Sequence, residues 1–286
     1  MVTRPVPAAW LSLRRGADHA AREASLPLVD ELVGTLVRRD RARTEGTVPR
    51  PDETVEVRVV DVGAGTGSNL MWLADRLAPL PQHWILVDHD AELIGTTDLV
   101  APPSISRLTR RIATVAELPD IVTGGAGPVV ITCAALLDLL SPDDAAVLVD
   151  VIVQTGSAAL LSLSVTGEVS IDPPHPADAP ISAAFDAHQR RDDLLGPDAI
   201  DHVGALLRDR GHRVRVMQTP WRLDAADQSA LLARYLADRG AVAVEQDPAL
   251  TDLVAVWGAA RQEQIRRGNL VVRVGHADIL SLPPNG

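Results

Sequence analysis

The stretch best suited to chemistry is a glycine-dense turn in VVDVGAGTGSNL, residues 59–70. Asp61 stands at its mouth, and Gly63, Gly65 and Gly67 follow at alternate positions. Glycine at this density costs backbone entropy, so we infer that a ligand must approach the bare chain. An apolar run of strand length precedes the turn and a helix-like segment follows it. This order predicts a turn at the carboxyl edge of a parallel sheet, where ligands bind.

The residue types around the turn argue against two common nucleotide sites. A nicotinamide or flavin fingerprint needs Gly or Ala where Ser68 stands, and a phosphate loop needs a lysine, which the chain lacks. Asp61 would repel a pyrophosphate but suits a ligand with an ammonium group. Asp88 ends the next apolar strand, where an acid accepts hydrogen bonds from ribose hydroxyls. A ligand with a ribose, no phosphate and a cationic amino-acid part matches S-adenosylmethionine.

The same two motifs resemble those of class I S-adenosylmethionine-dependent methyltransferases over roughly residues 55–165. Their acid-x-Gly-x-Gly-x-Gly motif is matched by Asp61 and the three glycines, and their acid after the second strand by Asp88. The resemblance implies S-adenosylmethionine as cofactor. It also implies a doubly wound, seven-stranded Rossmann-like sheet whose last strand is antiparallel and inserted beside the sixth. Segments 212–218 and 269–277 would be those two strands, although a helical segment separates them here, where the family usually has a hairpin.

Further cofactor contacts are expected beside the motif residues. Family members often carry an adenine-binding acid after the third strand, but here Thr114 and Val115 stand there, with Glu117 slightly later, so backbone groups and packing would hold the adenine. The complete expected cofactor set is Asp61, Gly63, Ala64, Gly65, Gly67, Asn69, Asp88, His89, Thr114, Val115, Cys133 and Ala134.

Two residues are candidates for a general base, should the acceptor need one. Asp138 follows the fourth predicted strand, and His188 lies in a long polar segment and titrates near neutral pH. A helix cap and a surface histidine are the structural alternatives. The candidates for substrate or cofactor contacts are Trp10, Arg22, His175, Arg190 and Arg191. Solvated loop charges are the alternative for the two adjacent arginines. No histidine spacing typical of a metal site is present, so we expect no metal.

Alternating strand-like and helix-like segments predict the α/β class with a parallel sheet. We divide the chain into an N-terminal helical cap and loop, 1–55, and a methyltransferase domain, 56–286. Within that domain, 166–196 is polar and proline-rich and reads as a lid loop, and 222–268 reads as a helical insert before the last strand. The insert carries an apolar stripe that would cover the lid or form a homodimer interface. Segments with strand or helix character are 56–62, 83–88, 108–114, 128–133 and 158–164 (strands), and 17–39, 68–77, 90–98, 142–155 and 197–210 (helices).

Composition limits the partners. The 286 residues carry a net charge of -11, which argues against a nucleic-acid surface. Cys133 is the single cysteine, so no internal disulfide forms. No secretory signal or membrane-spanning run is recognisable, and we expect a cytoplasmic protein without a membrane partner.

The sequence thus favours methyl transfer from S-adenosylmethionine to a small molecule. Three segments, 10–23, 133–141 and 185–197, also look like a subgroup of uncharacterised bacterial methyltransferases, a resemblance that names no substrate. One alternative is a catalytically silent protein that binds the cofactor or its product as a regulatory or scaffold subunit. A nicotinamide-dependent oxidoreductase is a further alternative, against which Ser68 and Asp61 count.

Overall fold

A computed structural model describes residues 6–44, 56–95, 101–123 and 127–284 of the chain. In this part of the chain, eight strands form one sheet in the order β3-β2-β1-β4-β5-β8-β6, with β7 paired to β8. The first five strands pair in parallel. The strands are β1 Val57–Val62, β2 Gln82–Asp88, β3 Ile105–Ile112, β4 Val129–Ala134, β5 Ala158–Asp172, β6 Arg213–Gln218, β7 Trp221–Asp224 and β8 Val271–Leu282.

Strand β8 lies between β5 and β6 and is antiparallel to both. The expectation of a last strand inserted beside the sixth is therefore confirmed, as is the doubly wound α/β class. One strand was missed. β7 pairs with Val271–Val274, at the start of β8, and makes the eighth strand. Its four residues, WRLD, are too short a segment to show a strand pattern within the predicted helical insert.

Helices cover both faces of the sheet because alternate strand residues point to opposite sides. Val60 and Ile131 pack under α5, α6 and α8. Val59 and Val130 pack under α2 and α3. The helices are α1 Ala8–Arg22, α2 Leu26–Thr44, α3 Ser68–Leu73, α4 Ala91–Gly95, α5 Leu118–Val122, α6 Pro142–Gln154, α7 Asp178–Gln189, α8 Ala199–Asp209, α9 Ala225–Gln246 and α10 Thr251–Arg266.

The N-terminal segment forms two helices where the periodicity predicted one. A 3-10 turn over Glu23–Ser25 separates α1 from α2. The Ser25 hydroxyl donates to the Arg22 carbonyl at 2.8 Å, which satisfies a carbonyl at the end of α1. Helix α2 packs its apolar stripe on the sheet, while α1 packs near β7. Helix α2 runs to Thr44, into the stretch 40–55 that the sequence predicts as a loop, and 45–55 lies outside the described residues.

The predicted lid, 166–196, is not a continuous loop. β5 extends to Asp172 because β8 pairs with it along Val165–Asp172, and α7 follows. Helix α7 packs on α9, and α9 on α10, around a third apolar core separate from the two that flank the sheet. The stripe of the predicted insert, Leu231, Leu232, Tyr235 and Leu236, packs in that core, with the three leucines buried and Tyr235 partly buried. Because these side chains are covered within the same chain, they do not supply a dimer interface.

Candidate active site

The glycine turn at the end of β1 has a backbone that side chains would disfavour. Gly63, Gly65 and Gly67 have φ values of 66°, 52° and 76°, in the left-handed region. A Cβ on Gly63 would lie 3.0 Å from a methyl carbon of Leu136. Gly67 closes the turn by donating its N–H to the Ala64 carbonyl at 2.8 Å and sits at the start of α3. The turn is therefore bare where it meets the cavity described below.

Asp88 connects the end of β2 to this turn. Its Oδ2 accepts from the Gly65 N–H at 2.7 Å, and its Oδ1 accepts from the Asp90 N–H at 2.9 Å. The ring of His89 lies beside it, with Nδ1 3.4 Å from Oδ1. Two backbone donors fix the carboxylate while both oxygens keep further acceptor capacity. Asp88 is thus held rigidly at the cavity wall and can accept from a ligand hydroxyl.

Asp61 lies beneath the turn and is completely buried. Its Oδ1 accepts from the Asn69 side-chain amide at 2.6 Å, and the same amide donates to Thr132 Oγ1 at 3.1 Å. Burial raises the pKa of Asp61 to about 7, against the opposing effects of Asn69 and Arg22. Asn69 lines the cavity but Asp61 does not. Asp61 therefore lies behind Asn69 and not on the cavity wall, where the sequence predicted a direct contact with a ligand ammonium group.

A cavity of about 500 Å³ lies over the turn. Its walls come from the ends of β1, β2, β4 and β5 and from α1, whose His19 Nε2 lies 3.1 Å from Ser68 Oγ. Ala135 and Leu163, two non-glycine residues with φ near 55°, form part of the wall. Such backbone costs about 1–3 kcal/mol each and is concentrated at functional sites in proteins. The predicted residues that line this cavity are Trp10, Arg22, Gly63, Ala64, Gly65, Asn69, Asp88, His89, Thr114, Val115, Ala134 and Asp138.

Arg22, on α1, is the most deeply buried cation of this cavity, at 1% exposure. Its guanidinium carbon lies 3.9 Å above the Trp72 ring. Its Nε and Nη2 have no hydrogen-bond partner among the described residues. Burial lowers the pKa of Arg22, while Asp278, Asp61 and Asp18 counteract that effect. A buried arginine with two free donors on a cavity wall fits an anionic ligand group, since unpaired buried donors are costly.

A second cavity of about 160 Å³ adjoins the first. It extends toward the added helices α7 and α9. Five residues line both spaces, so the two cavities meet at a common wall. The shared residues are Trp10, Arg14, Asp138, Val165 and His276.

Asp138 lies on this common wall. In the sequence it comes just after the fourth strand. It is 9% exposed, and its Oδ1 is buried without a partner in the described part of the chain. Burial raises its pKa to about 6, and nearby Arg14 opposes the shift. At neutral pH the carboxylate is mostly ionised yet basic enough to accept a proton.

His276, on β8, is the main site residue that sequence reasoning missed. Its Nδ1 lies 3.0 Å from the Val274 carbonyl, and because a carbonyl only accepts, Nδ1 carries the proton and Nε2 a lone pair. The centre of its ring lies 4.9 Å from that of Trp221, with the two planes tilted by 39°. Burial lowers the pKa of His276 to about 4, so the ring is neutral at physiological pH. The available signal was a histidine beside a glycine in a strand whose flanking residues are mainly apolar.

Arg14, on α1, also belongs to the common wall. Its Nε donates to Asp18 at 2.8 Å, and the other oxygen of Asp18 accepts from Trp221 Nε1 at 3.0 Å. These bonds tie α1 to β7. They place Arg14 beside both Asp138 and Trp221 without any sequence pattern that links the three.

Several predicted residues lie outside both cavities. The buried thiol of Cys133 packs in the core beneath α6, because strand alternation turns it away from the cavity. His188 faces Glu245 of α9 at 3.4 Å. Arg191 donates to the same glutamate, and Arg190 pairs with Asp198. His175 caps the start of α7, where its Nδ1 accepts from the Ala177 N–H. The structure therefore gives these four polar side chains internal partners and places them outside both cavities, which argues against the predicted catalytic and substrate-binding roles.

Comparisons with known proteins agree with this architecture. No protein-family model and no curated protein matches the chain. Among solved structures, a cyclopropane-fatty-acyl-phospholipid synthase-like protein from Lactobacillus casei is similar with a TM-score of 0.54 and 14% identity, covering 99% of this chain and 96% of that one. A SAM-dependent methyltransferase from Geobacter sulfurreducens in complex with S-adenosyl-L-homocysteine has a TM-score of 0.38 and 14% identity, covering 81% of this chain and 86% of that one. The first likeness, together with the strand order, shows that the chain has the fold of class I methyltransferases.

None of the described helices is long and apolar enough to cross a membrane.

Proposed function

We propose that the chain transfers a methyl group from S-adenosylmethionine to a small-molecule acceptor. The observation that carries this proposal is the larger cavity, which opens over the glycine turn between Asp88 and Arg22. Asp88 suits the ribose hydroxyls of the donor, and the free Nε and Nη2 of Arg22 suit its carboxylate. The residues proposed to hold the donor are those two with Gly63, Ala64, Gly65, Asn69, His89, Thr114, Val115 and Ala134.

The donor, when bound, supplies an electrophilic methyl group on a sulfonium. The chain would then mainly align the acceptor, an effect that can account for several kcal/mol of a barrier. The common wall of the two cavities is the place where an acceptor could meet the donor. Trp10 would pack against the acceptor there, since it faces both spaces.

Asp138 is proposed as the group that accepts a proton from the acceptor. A pKa of about 6 leaves it ionised at neutral pH, and its unpaired Oδ1 is available to an O–H or N–H donor. His276 is proposed to orient the same group, because its neutral Nε2 can accept a hydrogen bond. Removal of the proton raises the nucleophilicity of the acceptor atom, and a positioned base contributes about 100-fold to 10,000-fold to such steps.

The first experiment is calorimetric titration of the chain with S-adenosylmethionine and S-adenosylhomocysteine. We expect micromolar binding by the wild type and weakening of at least tenfold in Asp88→Ala. Asp143→Ala is the matched control, because Asp143 is an exposed carboxylate at the start of α6, outside both cavities. Absence of binding by the wild type, or equal weakening in both variants, would contradict the proposal.

Turnover is tested separately with isotopically labelled donor and fractionated bacterial metabolites. Transfer of label that is lost in Asp138→Asn supports the enzyme. Tight binding of both ligands without transfer to any fraction would favour the silent binding protein instead.

A further inference from the structure

Arg239, on α9, lines the smaller cavity and is 2% exposed. Its Nη1 donates to the Tyr235 hydroxyl at 3.3 Å, and its guanidinium carbon lies 4.3 Å from the centre of the Phe185 ring. Its Nε and Nη2 have no hydrogen-bond partner among the described residues. Buried charged donors are normally paired, so this edge of the guanidinium is poised for an acceptor from outside the chain.

The chemistry that fits this edge is illustrated by a second arginine of the same chain. Arg190 uses Nε and Nη2 to donate to the two oxygens of Asp198, at 2.7 and 2.9 Å. This is the bidentate arrangement of a guanidinium with a carboxylate. Arg239 lines the cavity, and the same two nitrogens are buried at its wall with no carboxylate of the described residues on them. A planar carboxylate of a ligand therefore fits the position that Asp198 occupies at Arg190.

The other charged side chains of the cavity favour a ligand with a single negative charge over a dianion. Asp138, Glu168 and Asp186 line the same cavity. Asp186 does not neutralise Arg239 by a close ion pair, and its Oδ1 is itself buried without a partner. Burial raises the pKa of Asp186. A dianion such as a phosphate monoester would be repelled by these carboxyl groups more strongly than a carboxylate would.

The rest of the wall is unusually aromatic for this chain. The sequence contains five Trp, one Tyr and one Phe. The Tyr and the Phe both line the smaller cavity, as do two of the tryptophans. Such a concentration points to a flat or apolar body packed between rings. The four residues are Trp10, Phe185, Trp221 and Tyr235.

We propose that the smaller cavity is the acceptor subsite and that it takes a small carboxylic acid, whose carboxylate binds the Nε and Nη2 of Arg239. This inference rests on the proposed methyl transfer, because it names the class of acceptor. The carboxylate end lies at α9, and the end to be methylated faces Asp138 and His276 on the common wall. The subsite thus orients the acceptor by its charge and leaves the reactive end toward the larger cavity.

The test uses four probes that share a benzene ring and differ in one group: benzoate, benzamide, benzylamine and phenyl phosphate. Binding to the full chain is measured by calorimetry, with and without S-adenosylhomocysteine. We expect benzoate to bind at least tenfold more tightly than the other three. Arg239→Met should weaken benzoate at least tenfold. The matched control is Arg267→Met, an exposed arginine that pairs with Glu263 at the end of α10.

A second variant guards against loss of folding. Arg239→Lys keeps a positive charge without the fork, and we expect it to weaken benzoate by less than Arg239→Met does. Circular dichroism and an unchanged affinity of both variants for S-adenosylhomocysteine would show that they are folded. Those measurements also separate the two proposals, because the donor titration of the wild type does not depend on Arg239.

Three outcomes would overturn the carboxylate subsite. They are tighter binding of benzylamine or phenyl phosphate than of benzoate, no binding of benzoate at 10 mM, and benzoate binding that folded Arg239→Met retains. Benzoate binding that depends on Arg239 in a chain that binds no S-adenosylhomocysteine would leave the subsite standing and remove the methyl-transfer proposal.

Discussion

The two cavities share one feature, a buried arginine, but differ in the elements that form most of their walls. Each contains a buried arginine, stacked on an aromatic ring, whose Nε and Nη2 are unpaired. Arg22 stands in the larger cavity, whose floor is the sheet edge and the glycine turn. Arg239 stands in the smaller cavity, whose walls come from β5 and β8 as well as from α1, α7, β7 and α9. The glycine turn and the sheet edge suit the donor, and α7, β7 and α9 complete the place where an acceptor would be chosen.

The largest effect is expected where the cavities meet. The pKa of the Asp138 carboxyl is raised from 3.8 to about 6 by burial, so its protonated form is favoured in the folded state. Its contribution to stability is therefore complete below pH 3.8 and is lost as the pH rises through about 6. The free energy of unfolding of the wild type minus that of Asp138→Asn should fall by about 3 kcal/mol over this window.

Urea denaturation of both proteins from pH 3.5 to 7.5 measures this difference. Other titrating groups are common to the two proteins and largely cancel. Asp143→Asn, which replaces an exposed carboxylate of α6, is the matched control. Its difference from wild type in free energy of unfolding should change less with pH than that of Asp138→Asn. A difference for Asp138→Asn that does not change with pH would contradict the burial of this carboxyl at the common wall.

A second prediction tests whether the two arginines serve separate ligands. Arg22→Met should weaken S-adenosylhomocysteine about 30-fold, since hydrogen bonds to charged groups contribute about 1.5–3 kcal/mol. Adenosine lacks the carboxylate, so its affinity should change less than threefold by the same reasoning. Benzoate binding should also be retained. Calorimetry with the three ligands provides the comparison, and equal losses for adenosine and S-adenosylhomocysteine would rule out a carboxylate contact.

The donor side was predictable because its signal is local. The glycine turn and Asp88 lie in two short segments whose order and spacing set the geometry, and the fold places them together through the parallel pairing of β1 and β2. Even here, local reasoning could not tell that Asp61 would lie behind Asn69. The direction of a buried side chain depends on packing that the motif does not contain.

The smaller cavity was predictable only in part: Trp10 and Asp138 were candidates, but its other residues are distant in sequence. Arg14, Arg239 and His276 come from α1, α9 and β8, and no periodic pattern connects them. The polar segment after residue 165 looked like a loop because its alternation is weak, yet pairing with β8 makes it a strand. His188 looked suitable by residue type, but its neighbour Glu245 lies on a helix far along the chain.

A third prediction separates strain in the glycine turn from obstruction of the donor cavity. Gly63→Ala should weaken S-adenosylhomocysteine about tenfold, because the added methyl group enters the region between the turn and Leu136. Gly156→Ala is the matched control: Gly156 has a similar φ of 60° but nothing within 4 Å of the added carbon. Both variants should lose about 1–2 kcal/mol of stability from left-handed backbone. Weaker ligand binding in both, or in neither, would mean that the bare turn does not border the donor.

The smallest expected effect is on the free energy of unfolding, which the unpaired donors of the buried Arg239 lower. Arg239 holds two unpaired donors in a buried position, and a methionine of similar length could pack on Phe185 without that cost. Arg239→Met should therefore raise the free energy of unfolding by about 1 kcal/mol.

Arg261 is the contrasting buried arginine, because it donates to the Pro173 carbonyl at 2.7 Å and pairs with Asp178. Arg261→Met should lower stability, since it leaves that carboxylate without its cation. Urea denaturation of the two variants measures both signs. Equal destabilisation by both substitutions would show that Arg239 supports the fold as Arg261 does. Arg22 would then be the one arginine among the described residues whose unpaired donors we assign to a ligand.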